Sequence, residues 1–241
     1  MFAEEDQAHL EEFGYCVLEA VLDRENTTLA REALVGAAIE SARRGNKTYM
    51  PYLDPNENNV RVFNLLDLDP LFTELIQHPV ACSVAEHLLG EDFIVSNFTA
   101  NIARPGSGSM QIHSDLALVM SEPWTQPGSL NIIWCLDEVT AANGGTLFMP
   151  GSHRYQRRSD VPEDIAEHMI PFEAGAGSVV VMEGRLWHTS GANTTKDQER
   201  ALLFGYYSKP SVAAQWDYNL NLAEETKQRL DPLMRRRLRL D

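Results

Sequence analysis

The second half of the chain alternates short β-prone runs with clusters of glycine, proline and asparagine, and this alternation constrains the fold more than any other feature. The runs are 93–102, 130–136, 146–149, 178–182 and 201–207. Pro105-Gly106-Ser107-Gly108, Asn143-Gly144-Gly145, Pro150-Gly151 and Gly175-Ala176-Gly177 punctuate them. Runs of this length, rich in Val, Ile, Phe and Tyr, favour strands, and turn residues without intervening helical stretches favour antiparallel connections over βαβ units. The expectation is a mainly β (α+β) fold, an antiparallel sandwich or barrel with helices packed outside it, mostly from the N-terminal third.

Residues before Asp92 read mostly helical. An amphipathic stretch, 6–13, is broken by Gly14, and Tyr15-Cys16-Val17-Leu18 has the composition of a strand. Thr27 or Thr28 is expected to cap a longer helix whose apolar stripe is Leu29, Leu34, Ala37, Ala38 and Ile39 and which ends at Gly45. Pro79 and Gly90 bracket another helix, 79–89. No repeat or linker interrupts the 241 residues, of which 44% are hydrophobic, enough for one sizeable core. A single domain over 1–241 is expected, with a helical part about 1–91, a β-barrel core about 92–209 and a helical tail about 210–241.

Charge and targeting signals narrow the function. Thirty-five acidic against 20 basic residues give a net charge of −15, a field that repels phosphate backbones and argues against nucleic acid as partner. No apolar run is long enough to span a membrane, and the acidic start Met1-Phe2-Ala3-Glu4-Glu5-Asp6 lacks the basic region of a secretory signal, so a cytoplasmic location is expected. Cys16, Cys82 and Cys135 lie far apart in apolar surroundings and read as small buried hydrophobes rather than disulfide or zinc ligands. The basic run Arg235-Arg236-Arg237-Leu238-Arg239 reads as cations at the end of a last helix.

The chemistry concentrates at a few polar residues. His113-Ser114-Asp115 follows a glycine-rich loop, and on a strand the first and third residues point to one face, so an imidazole and a carboxylate would project together. His188, just before Gly191-Ala192-Asn193, supplies a second imidazole if the two segments face each other across the mouth of a double-stranded β-helix, the jelly-roll or cupin-like barrel. Two His and one carboxylate on one face leave three coordination positions open, which suits non-haem Fe(II) oxygenases. Zinc enzymes use the same ligand types, so the triad alone leaves the metal undecided. Arg200 opens the strand 201–207, which a hairpin would lay beside His188. Its planar guanidinium can hold the remote carboxylate of a small diacid whose other end chelates the metal. The bland alternative is a surface Arg paired with Glu199 or Asp197.

These residues carry a resemblance. Gln111-x-His113-x-Asp115, Asn143-Gly144-Gly145-Thr146 leading to Pro150-Gly151-Ser152-His153, His188-x-Ser190-x-x-Asn193, Arg200 and the opening Phe13-Gly14-Tyr15-Cys16-Val17-Leu18 occur in this order. The chain thereby resembles the phytanoyl-CoA dioxygenase-like family of Fe(II)/2-oxoglutarate-dependent oxygenases over nearly its whole length. The resemblance implies His113, Asp115 and His188 as iron ligands and Arg200 as partner of the distal carboxylate of 2-oxoglutarate. It implies Gln111 and Thr146 as polar residues lining the co-substrate pocket, and Ser190 as a further contact to that carboxylate. The implied activity consumes O2 and 2-oxoglutarate, releases succinate and CO2, and hydroxylates, desaturates or cyclises its substrate. Halogenating relatives carry a small residue in place of the carboxylate ligand, and Asp115 disfavours that outcome.

The expected substrate is a small molecule, a secondary-metabolite or amino-acid-like compound, because no basic cluster is placed to hold the phosphates of CoA. A homodimer stays open. Tyr49, Met50, Tyr52, Arg61, Phe63 and Asn64 form a polar-aromatic segment that serves either as a lid or as an ordinary loop. Trp134 and Trp187 are candidates for pocket wall or for core, His153 is expected to be a structural turn residue, and His9, His78, His87 and His168 are expected at surfaces or interfaces. Two rival readings remain at this point: a redox-silent Zn or Mn hydrolase or isomerase on the same barrel, and a non-catalytic binding protein.

Overall fold

A computed structural model describes residues 2–51, 54 and 56–240. In chain order the elements are α1 (Glu4–Phe13), β1 (Tyr15–Leu18), α2 (Arg24–Arg43), β2 (Asn59–Val62), α3 (Pro70–Ile76), α4 (Pro79–Leu89), β3 (Ile94–Ala103), α5 (Asp115–Val119), β4 (Ser129–Cys135), β5 (Leu147–Phe148), β6 (Ile170–Pro171), β7 (Val179–Glu183), β8 (His188–Thr189), β9 (Arg200–Ser208), α6 (Tyr218–Asn221), α7 (Glu224–Arg229) and α8 (Pro232–Arg237). The five β-prone runs of the second half all contain strands, and the antiparallel sandwich or barrel expected from them forms as a jelly roll. Six strands pair in the order β1-β7-β4-β9-β3-β2, and three more in the order β6-β5-β8.

The large sheet is buried on both faces, and its residues alternate between two environments as the pleat dictates. Leu130, Ile132 and Trp134 of β4, Ala201, Leu203 and Tyr207 of β9, and Phe98, Ala100 and Ile102 of β3 enter the main core, which the helices share through Leu34, Phe72, Val84 and Met234. The opposite face of β4, β7 and β9 contributes Ile133, Val180 and Leu202 to a second core with Phe148 of the small sheet. Still on that inner face, Asn97, Thr99 and Asn101 of β3, Asn131 of β4 and Arg200 of β9 are polar, and there the two sheets enclose a cavity rather than a dry core.

Local signals explain most element ends. Gly14 sits at φ +82°, a left-handed conformation suited to glycine, and its N–H closes α1 on the Leu10 carbonyl. The cap of α2 is Asp23, whose carboxylate accepts from the Asn26 N–H, rather than Thr27 or Thr28. Those two hydroxyls lie inside the helix and donate to the carbonyls of Asp23 and Arg24 at 2.7 and 2.8 Å. The buried stripe is correspondingly Thr27, Ala30, Leu34, Ala37 and Ser41. Leu29 and Ile39 point outward, 47% and 67% exposed, because small polar residues complete the helical repeat that an apolar count alone misplaces.

The basic C-terminal run does more than complement a helix end. Arg237 is buried, pairs with Glu86 of α4 at 3.1 Å and lies 4.2 Å over the Phe93 ring, tying α8 to α4 and to the segment that leads into β3. The three cysteines are free; Cys16 and Cys135 are buried, which pushes both thiols up to about 12, and Cys82 is half-buried. No described helix is long and apolar enough to cross a membrane.

Candidate metal centre

His113, Asp115 and His188 meet at the cavity, and one ligand atom from each lies within 4.8 Å of the others. The route differs from two ligands on one strand. His113 pairs with His188 through an isolated antiparallel bridge, the His113 N–H donating to the His188 carbonyl at 3.0 Å and the His188 N–H to that of His113 at 2.8 Å. The chain then leaves extended structure at Ser114, whose hydroxyl caps α5, so Asp115 is the first residue of a short helix. Asp115 Oδ1 is 3.7 Å from His113 Nε2 and 3.9 Å from His188 Nε2.

Each imidazole is oriented by its own backbone. His113 Nδ1 donates to the Gln111 carbonyl at 2.8 Å and His188 Nδ1 to the Leu186 carbonyl at 2.9 Å. A carbonyl can only accept, so the proton sits on Nδ1 and the Nε2 lone pair faces the site. Burial, aided by the neighbouring His113, lowers His188 to about 4, which keeps that imidazole neutral at pH 7 and ready to ligate. Asp115 Oδ2 accepts from the Asn131 amide, which leaves Oδ1 directed at the imidazoles. Two imidazole nitrogens and an anchored carboxylate fit Fe(II), with room for further ligands on the open cavity side.

Arg200 lies on the floor of the same cavity and is 1% exposed. Its Nη2 donates to the Gly144 carbonyl at 2.9 Å and its Nη1 to Asn101 Oδ1 at 3.4 Å, both neutral acceptors. Its buried Nε has no partner, and among the described residues it makes no ion pair. Burial lowers its pKa to about 10, so the side chain is still a cation at pH 7. A buried guanidinium without an anion fits the carboxylate of an incoming diacid. Glu199, a partner in the bland alternative, pairs with Arg31 and Arg104 at 3.2 Å each. The hairpin expected between the strands of His188 and Arg200 does not form: β8 pairs with β5 in the small sheet, and β9 with β3 and β4 in the large one. The two residues meet across the sandwich interior, because the long turn 190–199 carries the chain from one sheet to the other.

The cavity holds about 610 Å³. Thr146 and Ser190 line it, and the Ser190 hydroxyl accepts from the Met110 N–H at 3.0 Å. Gln111 is exposed and lies outside the lining; its contribution is the backbone carbonyl that orients His113. Met50, Arg61 and Phe63 of the lid segment line the cavity. Asn64 instead bonds Asp67 and the Asn221 carbonyl, and Tyr52 lies outside the described residues. Trp134 is core, Trp187 packs against Trp124, and the aromatic walls are Phe63, Phe204, Tyr206 and Trp216. His153 is structural, its Nε2 bonded to the Glu11 carbonyl at 3.2 Å. His78 caps α4 and meets Trp134 edge-on, His9 and His87 touch aromatic neighbours, and exposed His168 pairs with Asp164.

Asn97, Thr99, Asn101 and Asn131 escaped sequence reasoning. A signal existed, since polar residues recur at every second position of one β-run, and a lone Asn interrupts an apolar one. On a strand buried on both faces, that period marks a wet side.

Jelly-roll sheets, a His-Asp-His cluster and a buried unpaired Arg in one cavity define a non-haem Fe(II)/2-oxoglutarate-dependent dioxygenase. More particularly, the chain belongs to the phytanoyl-CoA dioxygenase (PhyH) family, which matches residues 10–201. It is 44% identical over 237 residues to the dioxygenase af480 of Aspergillus fumigatus, covering 98% of this chain and 77% of that one. It is 24% identical to the Fe(II)/2-oxoglutarate-dependent dioxygenase nvfF of Aspergillus novofumigatus, covering 82% and 69%. Among solved structures it resembles EctD from S. alaskensis with 2-oxoglutarate and 5-hydroxyectoine, TM-score 0.72 at 23% identity over 87% and 77% of the chains. The non-haem α-ketoglutarate-dependent carbocyclase SnoK from nogalamycin biosynthesis is similar too, TM-score 0.72 at 21% identity over 92% and 91%.

Proposed function

We propose that His113, Asp115 and His188 hold the Fe(II), that Arg200 anchors the distal carboxylate of 2-oxoglutarate with Thr146 beside it, and that a small molecule in the same cavity is hydroxylated, desaturated or cyclised. The observation that carries this reading is the buried, unpaired guanidinium of Arg200 in one cavity with the triad. When bound, Fe(II) with 2-oxoglutarate and O2 supplies the oxidising power for attack on a C–H bond, with succinate and CO2 released.

The chain's own residues then do four things. The Nδ1 bonds of His113 and His188 fix which nitrogen each offers, and Asn131 holds one Asp115 oxygen so that the other ligates. Arg200, held by Gly144 and Asn101, sets the orientation of the diacid. Phe204, Tyr206 and Met182 narrow the interior around the site. Met50, Phe63 and Trp216 also line the cavity, from which a substrate displaces water. A cavity of this size suits a small molecule, and the net charge of −15 supports the absence of a nucleic-acid partner. We take the whole chain as one catalytic unit acting in the cytoplasm.

The test is an anaerobic titration with Fe(II) and then 2-oxoglutarate, following the visible charge-transfer band of a metal-chelated keto acid. The band is expected to appear, and Arg200→Ala should require far more 2-oxoglutarate. Fe(II) binding without any band refutes the co-substrate assignment and favours a redox-silent metal enzyme.

A further inference from the structure

The outer part of the cavity speaks to which molecules enter it, and this inference rests on the reading of the site just given. Beyond the triad and Arg200, the charged side chain on the described wall is Arg61, and it is already neutralised. Asp54, whose side chain is wholly buried, pairs with it at 2.7 Å and also accepts from its Nε. The rest of that wall is apolar or neutral. Phe63 and Trp216 stack with centroids 6.1 Å apart and planes 9° apart, and Leu118 and Val119 of α5 complete the apolar side. Polar demands can be met by two amides of the lining, Asn97 and Gln215, whose side chains are 3.4 Å apart.

The inner site adds no spare charge once loaded. Fe(II) and Arg200 bring three positive charges, Asp115 and doubly ionised 2-oxoglutarate three negative ones. A carboxylate or ammonium group entering the outer cavity would lose its hydration and find no counter-charge. A hydroxyl or carbonyl oxygen would exchange water for the Asn97 or Gln215 amide, and an apolar skeleton would gain by burial against Phe63 and Trp216.

We propose that the substrate is an uncharged, largely apolar molecule carrying a hydroxyl or carbonyl oxygen, and that carboxylates, ammonium compounds and free amino acids are excluded from the outer cavity by the neutral wall that the Arg61–Asp54 pair completes. The aromatic pair does not make a cation site, because Arg61 stands on the same wall and the carboxylate beside it, Asp54, is taken up by that guanidinium.

A matched series tests it: 4-tert-butylcyclohexanol, the corresponding ketone, the carboxylate and the ammonium compound. Each is titrated at pH 7 into the anaerobic Fe(II)- and 2-oxoglutarate-loaded protein, following the visible band, and, in parallel, into metal-free protein, following tryptophan fluorescence, to which Trp216 contributes. Alcohol and ketone are expected to bind at least about tenfold more tightly than either charged member. Asp54→Asn, which leaves Arg61 unpaired, should raise carboxylate affinity about tenfold with the alcohol unchanged; if that variant does not fold, the wild-type series decides alone. A charged member binding as tightly as the alcohol, or no member binding at its solubility limit, overturns the proposal. Selective binding by fluorescence without any visible band would instead refute the co-substrate reading and leave charge selection standing.

Discussion

Replacing Arg200 with methionine separates binding from folding. In the wild type the guanidinium is 1% exposed and bonds only the Gly144 carbonyl and Asn101 Oδ1, leaving Nε unpaired. Removing it relieves a buried cation, which for apolar replacements of buried ionic groups is neutral or stabilising by about 1–4 kcal/mol. It also abandons two acceptors, at about 1–3 kcal/mol each before cavity water takes over part of their bonding. The two effects nearly cancel, so the ligand-free variant should melt within about 4 °C of wild type, given roughly 2–4 °C per kcal/mol for a chain of this size. Binding is different. Two charge-assisted hydrogen bonds to a carboxylate contribute about 1.5–3 kcal/mol each, so their loss weakens 2-oxoglutarate by on the order of 10³-fold. At a concentration 100 times its dissociation constant, 2-oxoglutarate stabilises the metal-loaded wild type by about 2.7 kcal/mol, or roughly 5–11 °C. The variant at the same concentration should shift by less than about 1 °C. Differential scanning fluorimetry under nitrogen, with and without 2-oxoglutarate, reads both numbers. An undiminished 2-oxoglutarate shift refutes the assignment of Arg200, and a fall of more than about 10 °C without ligand shows that its role is to hold the sheet together.

Three further outcomes are expected. Asn131→Leu leaves Asp115 Oδ2 without its donor and should weaken Fe(II) by about 10–100-fold in an anaerobic titration, with the melting temperature little changed; an unaltered affinity shows that Asn131 does not position the carboxylate. Burial lowers His153 to about 4, below its unfolded value, so the unfolded chain binds the extra proton between those values and stability falls as the pH drops from about 6.5 to about 4. His153→Gln should therefore lose about 2 kcal/mol less than wild type between pH 7.5 and 4.5 in urea melts, and parallel losses would refute the burial argument. At Gly191 a methyl group would be driven into the Gly145 carbonyl and the Gly144 backbone, whose own carbonyl holds Arg200. Gly191→Ala should cost about 1–3 kcal/mol and raise the 2-oxoglutarate requirement with it, whereas a stability loss alone would uncouple the turn from the co-substrate.

Elements made by near neighbours were legible in advance. The strand Tyr15–Leu18 and the helix Pro79–Leu89 occur as expected because a glycine or proline marks their ends. The α2 stripe was misplaced because Thr27 and Ser41 are buried for their position on the helix, which residue type does not reveal. The triad's residues were identifiable from their types and order, yet the strand supposed to carry His113 and Asp115 is a bridge followed by a helix turn. Asn131 was invisible because its role depends on which carboxylate lies opposite it, sixteen residues away in the chain.

The sequence by itself determined the class of fold and the ligand types, and it singled out Arg200 as the cation to test against a diacid, since β-prone composition, turn residues and side-chain chemistry are local properties. Only the tertiary structure decided that Arg200 faces His188 across two sheets rather than along a hairpin, that Gln111 offers its carbonyl instead of its amide, and that Asp54 silences Arg61. Those outcomes depend on which strands pair and on how far each side chain is withdrawn from water, and both are set by the packing of segments distant in the chain.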